Sequence, residues 1–188
     1  MSSVKKITLC AINIALCVVL PVAFHAFGPV SSVLSPMHIP VLLCGLVCGW
    51  PYGAFCGVVG PLLSSVVTGM PPAAALVHML PELCVYGLAC GLLAKLIHTG
   101  NLYGDLYCAL IPAMLLGRIA GGAARALFLL GGGQSYSLTL WVSAYLVEAL
   151  PGIVLHLILV PALVVVLTKA GLVPARSARR MAGEGAAA

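Results

Sequence analysis

The stretch AAALVHMLPELCVYGLACGLLAKLI, residues 73–97, decides how the whole chain is read. It is apolar over more than the roughly 20 residues that a helix needs to cross a bilayer. One acid, Glu82, interrupts it near the middle, and one base, Lys95, closes it. His78, Glu82 and Tyr86 recur every four residues and therefore share one face. A membrane-crossing helix with a single polar stripe is the reading that fits all of these features.

The rest of the chain repeats the pattern. Apolar runs occupy residues 7–27, 38–49, 52–68, 102–130 and 137–170, separated by short stretches rich in Gly, Pro, Ser and Thr. Of the 188 residues, 62% are hydrophobic and only 7% charged, against roughly 25% charged in a soluble domain. The mean hydropathy is +1.18. So few charges exclude a water-soluble globule and with it most cytosolic enzymes and nucleic-acid binders. The expected fold is an all-α integral membrane protein, a six-helix transmembrane bundle forming a single domain over 1–175. Residues 176–188 are expected to be a disordered tail, first basic and then small. The run 38–49 is short for a full span, roughly 18 Å as a helix. It is either a short tilted helix or one half of a helix broken at Trp50-Pro51. The eight cysteines lie mostly within apolar runs and read as packing residues, not as a disulfide framework.

Charge sets the expected topology. Lys5, Lys6, Lys95, Lys169, Arg176, Arg179 and Arg180 fall on one side of a six-helix arrangement, while the loops 28–37, 69–72 and 131–136 carry no Lys or Arg. Positive residues mark the cytoplasmic side, so both termini are expected there. The charges left deep within helices are Glu82, Arg118, Arg125 and Glu148. Such charges are costly, so they face cavities or pair with one another. Arg118 and Arg125 are seven apart on the fifth helix, and Trp141, Tyr145 and Glu148 share a face of the sixth. Three stripes turned toward one another would line a polar pocket opening outward. The alternative is a structural ion pair of Arg118 with Glu82 or Glu148. The candidate ligand-contacting set is His38, His78, Glu82, Arg118, Arg125, Gln134, Trp141, Tyr145 and Glu148. His38, at the start of the second helix, is equally readable as a cap. Gly131 to Gly133 reads as a mobile lid or a linker. The histidines show no HExxH and no thiolate pairing, so no metal site is expected. Ala11 and Ala15, spaced by three residues on the first helix, are the small-xxx-small type that permits close helix approach. They are either packing positions or a docking face.

Several segments together resemble a known family. These are Lys5-Lys6-Ile7 with Ala11 and Ala15; His38-Ile39-Pro40-Val41-Leu42-Leu43-Cys44-Gly45; Pro61-Leu62-Leu63-Ser64-Ser65 through Thr68-Gly69-Met70-Pro71-Pro72; and Pro151-Gly152-Ile153-Val154-Leu155-His156. In order and spacing they are similar to the substrate-binding S component of an energy-coupling factor (ECF) transporter. The resemblance implies capture of a small water-soluble vitamin or cofactor precursor from outside a prokaryotic cell, at a site between the extracellular loops and helices four to six. It implies docking of Ala11 and Ala15 on a transmembrane coupling subunit, toppling of this chain to release its cargo, and two ATPase subunits that use ATP. No cofactor is expected in this chain, no enzymatic activity, and no partner nucleic acid. The rival readings are an S component for a metal, an integral-membrane transferase, and a structural subunit without ligand.

Overall fold

The computed structural model describes residues 1–25, 34–133 and 135–173. Within them the chain forms seven α-helices and one π segment, with no strand. These are α1 (Ser3–His25), α2 (His38–Cys48), α3 (Trp50–Thr68), α4 (Ala73–Leu96), α5 (Leu102–Gly131), α6 (Leu138–Val142), the π segment Ser143–Val147, and α7 (Leu150–Lys169). Five of them, α1, α3, α4, α5 and α7, are long and apolar enough to cross a membrane. The architecture is that of a multi-pass helical bundle. The expected tail, with Arg176, Arg179 and Arg180, lies outside the described residues, as do the loop residues 28–33.

The run 38–68 is two helices. Gly49 separates them with φ +100°, a conformation that side chains other than glycine rarely adopt. Pro51 then occupies the first turn of α3, where its missing N–H costs nothing. All eleven residues of α2 are buried, as expected of a helix that is apolar on every side. α1, α3, α4 and α7 pack around it.

Glycines let these helices meet backbone to backbone. A Cβ on Gly45 would lie 2.6 Å from the carbonyl oxygen of Gly87, and one on Gly53 would lie 2.6 Å from the Cα of Gly45. A Cβ on Gly91 would lie 2.6 Å from the Cα of Trp50. Lipid provides no hydrophobic drive between helices, so this close van der Waals approach carries the association.

The expected sixth helix over 137–170 is in fact divided. Ser137 caps α6 by accepting the Leu140 N–H at 3.3 Å. The π segment then carries a bond from Glu148 N–H to the Ser143 carbonyl at 2.9 Å, and α7 begins with Pro151 in its first turn. A proline ring clashes with the carbonyl four residues earlier, here Val147, where the π segment ends. The break therefore has a local cause.

Six of the cysteines are buried, Cys84 is half-buried, and Cys108 is exposed. Cys10 and Cys44 both donate to the Tyr52 carbonyl, at 3.7 and 3.4 Å, and so tie α1 and α2 to α3. At the same end of the bundle Asp105 is a buried carboxylate. It accepts from the Thr99 backbone N–H at 2.5 Å and from its hydroxyl at 2.9 Å, which fixes the α4–α5 turn.

Gly87→Leu is expected to cost at least the roughly 1–3 kcal/mol of ordinary overpacking, because its neighbour is the α3 backbone and cannot swing aside. Gly131→Ala, with nothing within 4 Å of the added atom, should be nearly neutral. Melting temperatures of the two variants in one detergent test the contrast.

Candidate functional site

Where the C-terminal end of α1, the start of α2, the α3–α4 turn, α4, α5 and the π segment converge, they enclose a cavity of about 560 Å³. That falls within the roughly 300–1,000 Å³ of small-molecule sites. His38, His78, Glu82, Arg118, Arg125, Tyr145 and Glu148 all line it. Residues from all three polar stripes read from the sequence thus share one cavity, while Tyr86 and Trp141 are not in its lining. Gln134 lies outside the described residues. Trp141 stands behind the wall: its ring stacks on Tyr145 with centroids 6.2 Å apart, and its Nε1–H donates to the Arg118 carbonyl at 3.4 Å.

The floor is built by two glycine contacts and one buried pair. Gly117 on α5 faces the Tyr86 ring, where a Cβ would come within 2.5 Å of ring carbon, and a Cβ on Gly121 would lie 2.7 Å from Oε2 of Glu82. These glycines let α5 close on the polar face of α4. Glu82 is 5% exposed and His38 6%, and His38 Nε2 sits 3.4 Å from Glu82 Oε1. His38 opens α2, as expected. Its ring meets Tyr86 edge-on at 5.2 Å and stacks on His156 at 5.6 Å. His156 Nε2 in turn lies 3.2 Å from the Ser35 carbonyl.

The ion pair between Arg118 and a glutamate, the alternative to a polar pocket, is not formed. Glu82 is in contact with His38, and neither Arg118 nor Arg125 has a carboxylate within 4.0 Å among the described residues. Arg118 instead donates from Nη1 to the carbonyl of Tyr145, within the π segment. π turns depart from the regular helical hydrogen-bond ladder, and here the guanidinium supplies a donor to that stretch of backbone. Glu148 is exposed and accepts from the Ser143 hydroxyl at 3.2 Å. His78 is half-buried, with Nδ1 3.5 Å from Tyr145 Oη. Arg125, two turns along α5 from Arg118, is also half-buried.

Much of the apolar lining was not singled out from the sequence. Met37, Met70 and Met79 line the cavity with Pro36, Pro71 and Pro72. The signal for the turn residues was present in Ser64 and Ser65. Their hydroxyls donate to the Met70 and Pro71 carbonyls at 2.7 and 2.8 Å and hold the α3–α4 turn at the mouth. No group of three or more His, Cys, Asp or Glu side chains among the described residues is placed to hold a metal ion.

Over residues 5–164 the chain matches the family described as ECF transporter, substrate-specific component. The match covers most of the chain, including every helix that builds the cavity, and the protein belongs to this family. No curated protein and no solved structure shows a significant match. The chain is accordingly the substrate-specific component of a membrane transporter.

Gly122→Leu should dislodge Trp141, because any Cβ at that position collides with the indole nitrogen. In a Trp50→Phe background, which leaves Trp141 as the sole tryptophan, the expected outcome is a red-shifted emission spectrum. An unshifted spectrum would show that the indole is seated elsewhere.

Proposed function

We propose that this chain captures a small water-soluble vitamin or cofactor precursor at the outer face of a prokaryotic cell membrane. It acts as the specificity subunit of an importer energised by partner ATPases. The observation that carries this reading is the cavity, in which ionisable groups from α2, α4, α5 and the π segment converge within an otherwise apolar lining. A few placed polar groups in a concave apolar site are what a small ligand needs for orientation and specificity.

The position of the cavity along the helices supports an outward opening. It lies at the end of the bundle opposite Lys5 and Lys6 of α1, Lys95 of α4 and Lys169 of α7. Those positive ends mark the cytoplasmic side by the positive-inside rule. The chain itself brings no nucleotide chemistry to this scheme; ATP is used by the partners.

Docking on a transmembrane coupling subunit is assigned to α1. Ala11 and Ala15 are both exposed on its outer face. Ala11 also borders a shallow groove of about 380 Å³ formed with Ile7, Ile14, Tyr52 and Phe55. Small side chains there admit another helix closely.

Purified protein screened against a vitamin panel should show a ligand-dependent rise in melting temperature. Ligand at 100 times its Kd stabilises by about 2.7 kcal/mol. A flat response across the whole panel would overturn the capture role. Ala11→Trp or Ala15→Trp should abolish uptake in cells expressing the complete transporter while ligand binding stays intact. Loss of binding by these variants would instead remove the docking assignment.

A further inference from the structure

The formal charges in the cavity lining cancel, but the contacts do not. Glu82 is engaged by His38 at 3.4 Å, and Glu148 by the Ser143 hydroxyl at 3.2 Å. Neither arginine has a carboxylate within 4.0 Å among the described residues. Arg118 is 4% exposed. It donates from Nη1 to a neutral carbonyl, and its Nε has no hydrogen-bond partner. A buried cation with no carboxylate in direct contact, and with an idle donor, is expensive in low dielectric; Glu82, against Gly121 on α5, is near it but is held by His38. It lines the same cavity as Arg125, which lies seven residues further along α5. At about 1.5 Å per residue the two guanidinium-bearing positions are roughly 10 Å apart along the helix, on nearly the same face. Both side chains are long enough to converge on one group between them. The guanidinium fork matches the paired oxygens of a carboxylate or a phosphate.

We propose that the cargo carries one anionic oxygen group, a carboxylate or a phosphate monoester, which is bound between Arg118 and Arg125. This rests on the capture role proposed above and narrows its substrate class. The anionic group supplies the direct carboxylate-type contact that Glu82 and Glu148, engaged elsewhere, do not make to either arginine. The bond to the Tyr145 carbonyl fixes Arg118 in advance, while Arg125, half-buried, completes the clamp from the side nearer the mouth. The remainder of the ligand lies against Met37, Met79 and the His38–Glu82 pair, which offers a carboxylate to a hydroxyl or amine donor.

The test uses purified full-length chain and matched pairs of compounds that differ in the anionic group. Pantothenate is set against panthenol, biotin against biotinamide, nicotinate against nicotinamide, and pyridoxal 5′-phosphate against pyridoxal. The tightest-binding compound should be the anionic member of its pair, and its neutral counterpart should bind at least roughly 10-fold more weakly, in line with loss of a charge-assisted hydrogen bond. The carboxylate and phosphate pairs tell the two anions apart. Arg125→Gln should weaken the anionic member by roughly 10- to 100-fold and leave the neutral member nearly unchanged. Arg118→Gln should do the same. If that buried variant does not fold, the half-buried Arg125 variant decides alone. Preferred binding of a neutral or cationic compound would overturn this proposal while leaving vitamin capture standing, as would equal loss for both members of a pair in Arg125→Gln. Failure of the wild-type chain to bind any compound would overturn capture and the anion together.

Discussion

Everything in this bundle depends on how closely the backbones of α2, α3 and α4 approach at Gly45, Gly53 and Gly87. Helices in lipid gain little by burying apolar area against one another, because the lipid is as apolar as they are. The contact must come from shape. Removing side chains at these positions lets α2 sink into the middle of the molecule, buried along its whole length. That placement brings His38, at its first turn, to Glu82 on α4. The same device recurs on α5, where Gly117 and Gly121 make room for Tyr86 and Glu82. The polar floor of the cavity is thus a by-product of apolar packing that leaves no slack.

The few charges carried at depth divide according to the partners this packing supplies. Glu82 receives a histidine, and Glu148 a hydroxyl at the rim. Arg118 receives only a carbonyl from the π segment. That carbonyl belongs to Tyr145, whose ring is in turn backed by Trp141, and Trp141 donates to the Arg118 carbonyl. The wall formed by α6 and the π segment and the middle of α5 are therefore linked twice, once through each backbone. This wall of the cavity is joined to α5 by two hydrogen bonds and backed by a ring stack.

Much of this was legible in the sequence, for reasons that can be stated. Apolar runs bounded by Gly and Pro gave the helices, and the fourfold spacing of His78, Glu82 and Tyr86 gave the polar face of α4. The sevenfold spacing of Arg118 and Arg125 gave that of α5. The division of the last helix was signalled by Pro151, but a proline in a membrane helix is so often tolerated that its effect depends on the neighbouring turns. The pairing of the charges was not legible. The choice between Glu82, Glu148 and a backbone carbonyl as partner for Arg118 turns on ångström-scale placement of α5 against the π segment, which no spacing rule encodes. Gly45, Gly53 and Gly87 have no side chain, and nothing in their spacing names the backbone surfaces they meet. The methionines of the lining come from three separate segments and carry no periodic signal.

A helix with no face toward lipid is also cut off from the membrane's dimensions. Bilayer thickness acts on a protein through the mismatch between hydrocarbon depth and the apolar length that touches it. The long helices α1, α3, α4, α5 and α7 have exposed apolar side chains, while α2 has none. Thickening, thinning or tilting of the surroundings is met by the outer rods, and α2 remains an internal axle whose register against α4 is set by protein alone. The His38–Glu82 floor rides on that axle, so the deepest part of the cavity is the part least coupled to the lipid in which the protein sits.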